Sequence, residues 1–271
     1  MDVATAVGST NVVADVVGWY DDGTGAGDLF SAVTPVRMLD TRVAGGPVVA
    51  GAPRDLEVRL PGAANGVPAT GTAVVANITV TNATDQTFVS MWPSGEQQPN
   101  VSNLNSLPGQ TLANLAIVKI GANGRIRIAN AVGSVNVIVD VVGYFDTTTG
   151  SRFHALVPNR IVDTRIDQGL SGPQGPGQTR LLVLAGAAVP DDATGFVANV
   201  TVTGATRETF VSVYPGGGVR PNPFSNVNAG LNQAIPNLIA VGIAPDGTVG
   251  LYNHLGSAEL IVDAVGYYAP L

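Results

Sequence analysis

The segment GSVNVIVDVVGYFD at residues 133–146 returns as GSAELIVDAVGYYA at 256–269 and as GSTNVVADVVGWYD at 8–21. Everything between these copies occurs only twice. A chain built this way is a tandem array, which points to a modular binding or structural element and speaks against a lone enzyme active site. Asp40 of MLDTR and Asp163 of IVDTR lie 123 residues apart (163 − 40), and Phe30 and Phe153 keep the same step. A unit of that length is a domain in its own right and not a solenoid rung. The sequence therefore predicts two domains, residues 29–146 and 147–271, with residues 1–28 as the terminal strand of a preceding repeat plus a linker.

Short runs of Val, Ile and Thr are divided by Gly, Pro, Asn and Asp, the pattern of strands and turns. No long stretch shows apolar residues spaced by three and four. The expected fold is all-β: two tandem antiparallel β-sandwich-like domains plus an extra N-terminal strand. Residues 36–42, 55–60, 73–82, 87–92, 112–120, 124–129 and 135–145 read as strands of the first repeat, with matching runs in the second. The strand 135–145 is apolar on both faces and belongs at the centre of a sheet. Its N-terminal copy is expected to dock as an added strand, on the first domain or on another molecule. VVADVVGWY is too apolar to stay solvated without aggregating.

Composition narrows the function. Thirteen basic residues against twenty acidic give a net charge of −7, which disfavours binding of phosphate backbones, so no nucleic-acid partner is expected. Without cysteine there is no disulfide, thiolate metal site or cysteine nucleophile. No apolar run reaches the length of a membrane span, so no membrane insertion is expected. Residues 1–20 carry no recognisable signal peptide. DDGTGAGD at 21–28 resembles a calcium loop, but its counterpart DTTTGSR keeps one acid, and a flexible linker is the preferred reading. No cofactor and no metal are expected.

Three constellations could carry chemistry. The first pairs the D-T-R triplets, Asp40 with Arg42 and Asp163 with Arg165, with the signature-strand carboxylates Asp140 and Asp263 (Asp15 in the tail copy). A carboxylate amid Val and Ile must be paired. The plain reading is an Arg–Asp network locking first strand to last; the sharper one is a glycan hydrolase using Asp40 and Asp140 as its acid pair. The second is asparagine: Asn77, Asn103, Asn105 and Asn114, repeated as Asn199, Asn226, Asn228 and Asn237. These amides either satisfy loop backbone groups or bind sugar hydroxyls beside Trp92 or Tyr214 as stacking platforms. The third, nucleophilic catalysis, lacks material: His154 and His254 are opposite Ser31 and Ala131, so neither belongs to a repeated site.

Taken together, L-D-T-R near the start, N-x-T-V-T midway, S-N-x-N before the late strands and V-D-V-V-G-Y-F at the end resemble a tandem repeat module of large secreted actinobacterial proteins. The resemblance implies an extracellular accessory domain, secreted or at the cell surface, and supplies no catalytic residue. The expected function is a non-catalytic structural or adhesive module, assembling with neighbouring repeats or with itself by strand addition. The alternative is a carbohydrate-binding module for cell-wall or extracellular glycan.

Overall fold

The computed structural model describes residues 3–21, 27–64, 66–222 and 224–270. The first domain runs β1 (Leu29–Asp40), β2 (Val48–Val49), β3 (Arg54–Glu57), β4 (Gly71–Thr81), β5 (Thr87–Pro93), β6 (Leu104–Ser106), β7 (Leu112–Lys119), β8 (Arg125–Asn130) and β9 (Ser134–Asp146). The second repeats it without β2: β10 (Arg152–Asp163), β11 (Thr179–Val183), β12 (Gly195–Thr203), β13 (Thr209–Pro215), β14 (Val227–Ala229), β15 (Ile235–Gly242), β16 (Thr248–Asn253) and β17 (Glu259–Ala269). Each domain is an antiparallel sandwich. The first stacks a sheet of order β1-β9-β4-β7 on one of order β3-β8-β5-β6. The second stacks β10-β17-β12-β15 on β11-β16-β13-β14.

The alternation of β4 explains both faces of its sheet. Val74, Ala76, Ile78 and Val80 point into the core of the first domain, against Met91, Ile126 and Ile128 of the facing sheet. Ala73, Val75 and Asn77 point the other way, to where the second domain lies. The second core is built alike from Phe196, Ala198, Val200 and Val202 with Val213 and Leu251. The signature strands β9 and β17 are central, each hydrogen-bonded on both edges, which their two apolar faces require.

Three expectations need correction. The first strand begins at Leu29, not at 36, and is broken by register shifts between Ala32 and Val36 and between Arg37 and Leu39. Two short strands, β2 and β6, lie in segments that read as loops. The N-terminal copy is not a strand: residues 3–20 add to no sheet, and Val13, Val16 and Trp19 stand exposed. A strand apolar on both sides needs neighbours on both edges. In each domain the position between those neighbours is already filled by that domain's own copy. Only the end of the tail is seated: Tyr20 stacks on Phe153 at 4.3 Å, and its hydroxyl lies 2.9 Å from that of Tyr268. The calcium-like loop falls largely on residues 22–26, outside the described residues.

Candidate functional site

The D-T-R triplets form two matching charge networks. Arg42 closes back on Asp40 with two bonds of 2.9 and 2.7 Å, and Arg165 does so on Asp163 at 2.8 and 2.6 Å. Neither reaches the signature strand. The residue that does is Arg37, which donates two bonds to Asp140 at 2.9 and 3.0 Å and a third to Asp40 at 3.3 Å. Arg160 does the same to Asp263 and Asp163 at 2.8, 3.1 and 3.3 Å. The threonines complete the join: Thr41 accepts from the Val137 amide and donates to Asn136, while Thr164 accepts from the Leu260 amide and donates to Glu259. Sequence reasoning missed Arg37 and Arg160, although they too lie one repeat apart.

The networks set the protonation of these acids. The Arg42 guanidinium holds the Asp40 carboxyl below its usual range, and Arg165 holds Asp163 at about 2. Burial pushes the Asp140 carboxyl up, against the opposing pull of Arg37. Both Asp40 and Asp140 are committed to guanidinium groups, and neither lines the cleft between the domains.

The aromatic platforms are not platforms. Trp92 and Tyr214 are each only 4% exposed. The Trp92 indole donates to the Glu96 carbonyl at 3.1 Å, and the Tyr214 hydroxyl pairs with Thr179 at 3.1 Å. Both lie on the outer face of their sheet, opposite the core-facing Met91 and Val213, with Trp92 across from Arg127 and Tyr214 across from Gly250. The aromatic rings that stand beside these Asn residues are Phe88, 38% exposed and across from Asn105 in the β5–β6 ladder, and its counterpart Phe210, half-buried and across from Asn228.

The loop asparagines divide by role. Asn103 Oδ1 accepts from the Met91 amide at 2.6 Å, and Asn226 Oδ1 accepts from Val213 at 2.6 Å, so both brace their own loops. Asn105 and Asn228 make long contacts, 3.4 Å each, with Ser102 and Ser225. Asn114 and Asn237 donate to the carbonyls of Asn103 and Asn226 at 2.6 and 2.7 Å.

One pair goes further. Asn237 of the second domain donates to Asn77 Oδ1 of the first at 2.9 Å, and its own Oδ1 accepts from the Leu115 amide on the outer edge of β7 at 3.0 Å. Asn77 in turn donates to the Ser225 carbonyl at 2.7 Å. Four polar groups from two domains are thus satisfied at one point, with Asn77 fully buried. Around it Phe30, Val75 and Val142 of the first domain pack with Val197, Phe224, Ala240 and Tyr268 of the second. The linker adds a bridge, with Phe30 and Ser151 exchanging backbone bonds of 3.0 and 2.8 Å. The joint is one-sided. The first domain gives the outer face of β4 and the outer edge of β7; the second gives Asn237 and Ala240 of β15 and the loop before β14, with Val197 of β12 and Tyr268 of β17 beside them.

The chain matches no protein-family model and no curated protein. No helix among the described residues is long and apolar enough to cross a membrane.

Proposed function

We propose that this chain is a non-catalytic structural module of an extracellular protein, in which β-sandwich repeats are packed into a rigid body. The observation that carries this reading is the Asn77–Asn237 joint. Polar side chains that look like a ligand site in the sequence are spent on holding one repeat against the next. Buried polar networks that are fully satisfied fix one geometry, whereas an apolar seam alone permits sliding. The secreted setting rests on the resemblance of the repeat motifs. Strand addition by the tail is replaced by the packing of one complete repeat on the next.

Rigidity is the property to test. Small-angle scattering should give one radius of gyration for the intact chain across a range of salt, with a single thermal transition for both domains. Two separate transitions, or a scattering profile that broadens with salt, would show independent beads on a string and end the proposal.

A second reading is favoured by one feature. Phe88, Asn105 and Gln110 line an open cleft of about 470 Å³ at the β5–β6 ladder, where an exposed ring and an amide could hold a sugar. Specific glycan-array binding that disappears in Phe88→Ala would move the function to carbohydrate recognition.

A further inference from the structure

The joint between the two domains is heterologous: one kind of surface on the first repeat meets a different kind on the second. Such contacts generate rings or open filaments, depending on whether the rotation closes. The aromatic residues at the inner end of the joint decide between these. Tyr20, Phe145 and Tyr268 are the same position of the signature segment in its three copies. They meet at one point. Phe145 lies 6.4 Å from both other rings, and the hydroxyls of Tyr20 and Tyr268 are 2.9 Å apart.

The rings around them follow the same rule. Phe30 stacks on the next copy, Tyr268, at 4.0 Å and 25°; Phe153 stacks on Tyr20 at 4.3 Å and 27°. Within each repeat Phe30 meets Phe145 at 5.6 Å and 57°, and Phe153 meets Tyr268 at 5.4 Å and 58°. First repeat to second, and second to the tail, are therefore the same step. The same step taken once more would lead from the tail's repeat back to Phe145.

We propose that the complete assembly is a closed ring of three repeats about a pseudo-threefold axis, and that the third member is a β-sandwich of this same kind whose last strand is segment 8–21. It would pack against the cleft of about 830 Å³ bounded by Tyr20, Phe145 and Phe153, filling it with part of its surface. Both surfaces it needs are present and unused. On the second repeat, Asn199 and Leu238 are the counterparts of Asn77 and Leu115; Leu238 is 40% exposed, and no side-chain bond is seen for Asn199 among the described residues. On the first repeat, Asn114 is the counterpart of Asn237 and is only half-buried. In both complete repeats the Phe ring lies over the signature glycine, Gly143 or Gly266, whereas Gly18 has nothing within 4 Å. The proposal needs the packing of repeats and does not depend on an extracellular role.

The test places a copy of residues 151–255 ahead of Gly8, which completes a third repeat. Trp19, 81% exposed in the two-repeat chain, should then be shielded from acrylamide. Leu238→Asp should change Tm by less than about 1 °C in the original chain and lower it by roughly 4 °C or more in the extended one. Gly18→Ala should show the same contrast. Scattering from the extended chain should be that of a compact disc. An extended chain in which Leu238→Asp stays neutral, or whose profile is elongated, overturns the ring. So does an added repeat that leaves Trp19 as quenchable as before. The original chain offers an independent check: Tyr20→Ala should lower its Tm by at least about 1 °C, and no change would mean that the tail is not seated on the axis.

Discussion

Asn77 of the first repeat and Asn237 of the second share a hydrogen bond of 2.9 Å across the domain joint, and each also bonds the other domain's backbone, Asn77 at the Ser225 carbonyl and Asn237 at the Leu115 amide. Asn77→Ala strips a donor from the Ser225 carbonyl and an acceptor from Asn237 in a buried place. The expected cost is about 1–3 kcal/mol in urea unfolding. Asn199→Ala, the same substitution one repeat on, removes no such bond and should cost less than about 0.5 kcal/mol in this chain.

Arg37 and Arg160 look interchangeable and are not. Asp140 is nearly inaccessible, while the Asp263 side chain keeps 26% of its exposure. Arg37→Ala leaves a buried carboxylate without its partner and should destabilise by about 3–5 kcal/mol. Arg160→Ala should cost about 1 kcal/mol, in the range of exposed pairs. Adding Asp140→Asn to Arg37→Ala should recover part of the loss, measured by the same denaturant titration.

Acid should weaken the fold in a defined window. Asp163 is held at about 2 by Arg165, and Asp146 at about 2 by bonds from Thr148 and Thr70. An unfolded Asp titrates near about 4. Each depressed carboxyl therefore adds stability that is complete above about pH 4 and is lost as pH falls towards 2. Asp140, whose carboxyl is raised by burial, works in the opposite sense and is favoured folded when protonated. Tm should fall between pH 5 and pH 2.5. Asp163→Asn and Asp146→Asn should each shrink that fall, and Asp140→Asn should enlarge it.

The signature glycines are required by a ring and not by a turn. A Cβ on Gly143 would run into the Phe30 side chain, and one on Gly266 into Phe153. Gly143→Ala should destabilise by about 1–3 kcal/mol through overpacking, and pairing it with Phe30→Leu should return part of that stability. Circular dichroism melts of the single and double variants provide the comparison.

Much of the architecture was legible in the chain. Alternation and turn residues place most strands, and the two apolar faces of 135–145 put that strand mid-sheet. The start of β1 was not legible, because bulges around Thr34 and Pro35 break the alternation that marks a strand. The same irregularity hid Arg37: spacing by two pointed to Arg42 on the face of Asp40, whereas the bulged register sets Arg37 directly across from Asp140. Alternation with Met91 correctly puts Trp92 on the outer face of its sheet, but nothing in β5 shows that the ring is covered there and that its indole is taken by the Glu96 carbonyl. The recurrence of Asn signalled that those amides had a task. That Asn77 would find its partner 160 residues away is a property of the joint and leaves no trace in either repeat alone.

The one-sided joint has a consequence for how such a protein can arise. Every repeat carries both halves of the fastening, so copying one stretch of gene supplies a neighbour that already fits, with no new contact to be selected. What must then change is only the free ends, and drift should show first at joint positions such as Ile117 and Ala240, where the two copies already differ.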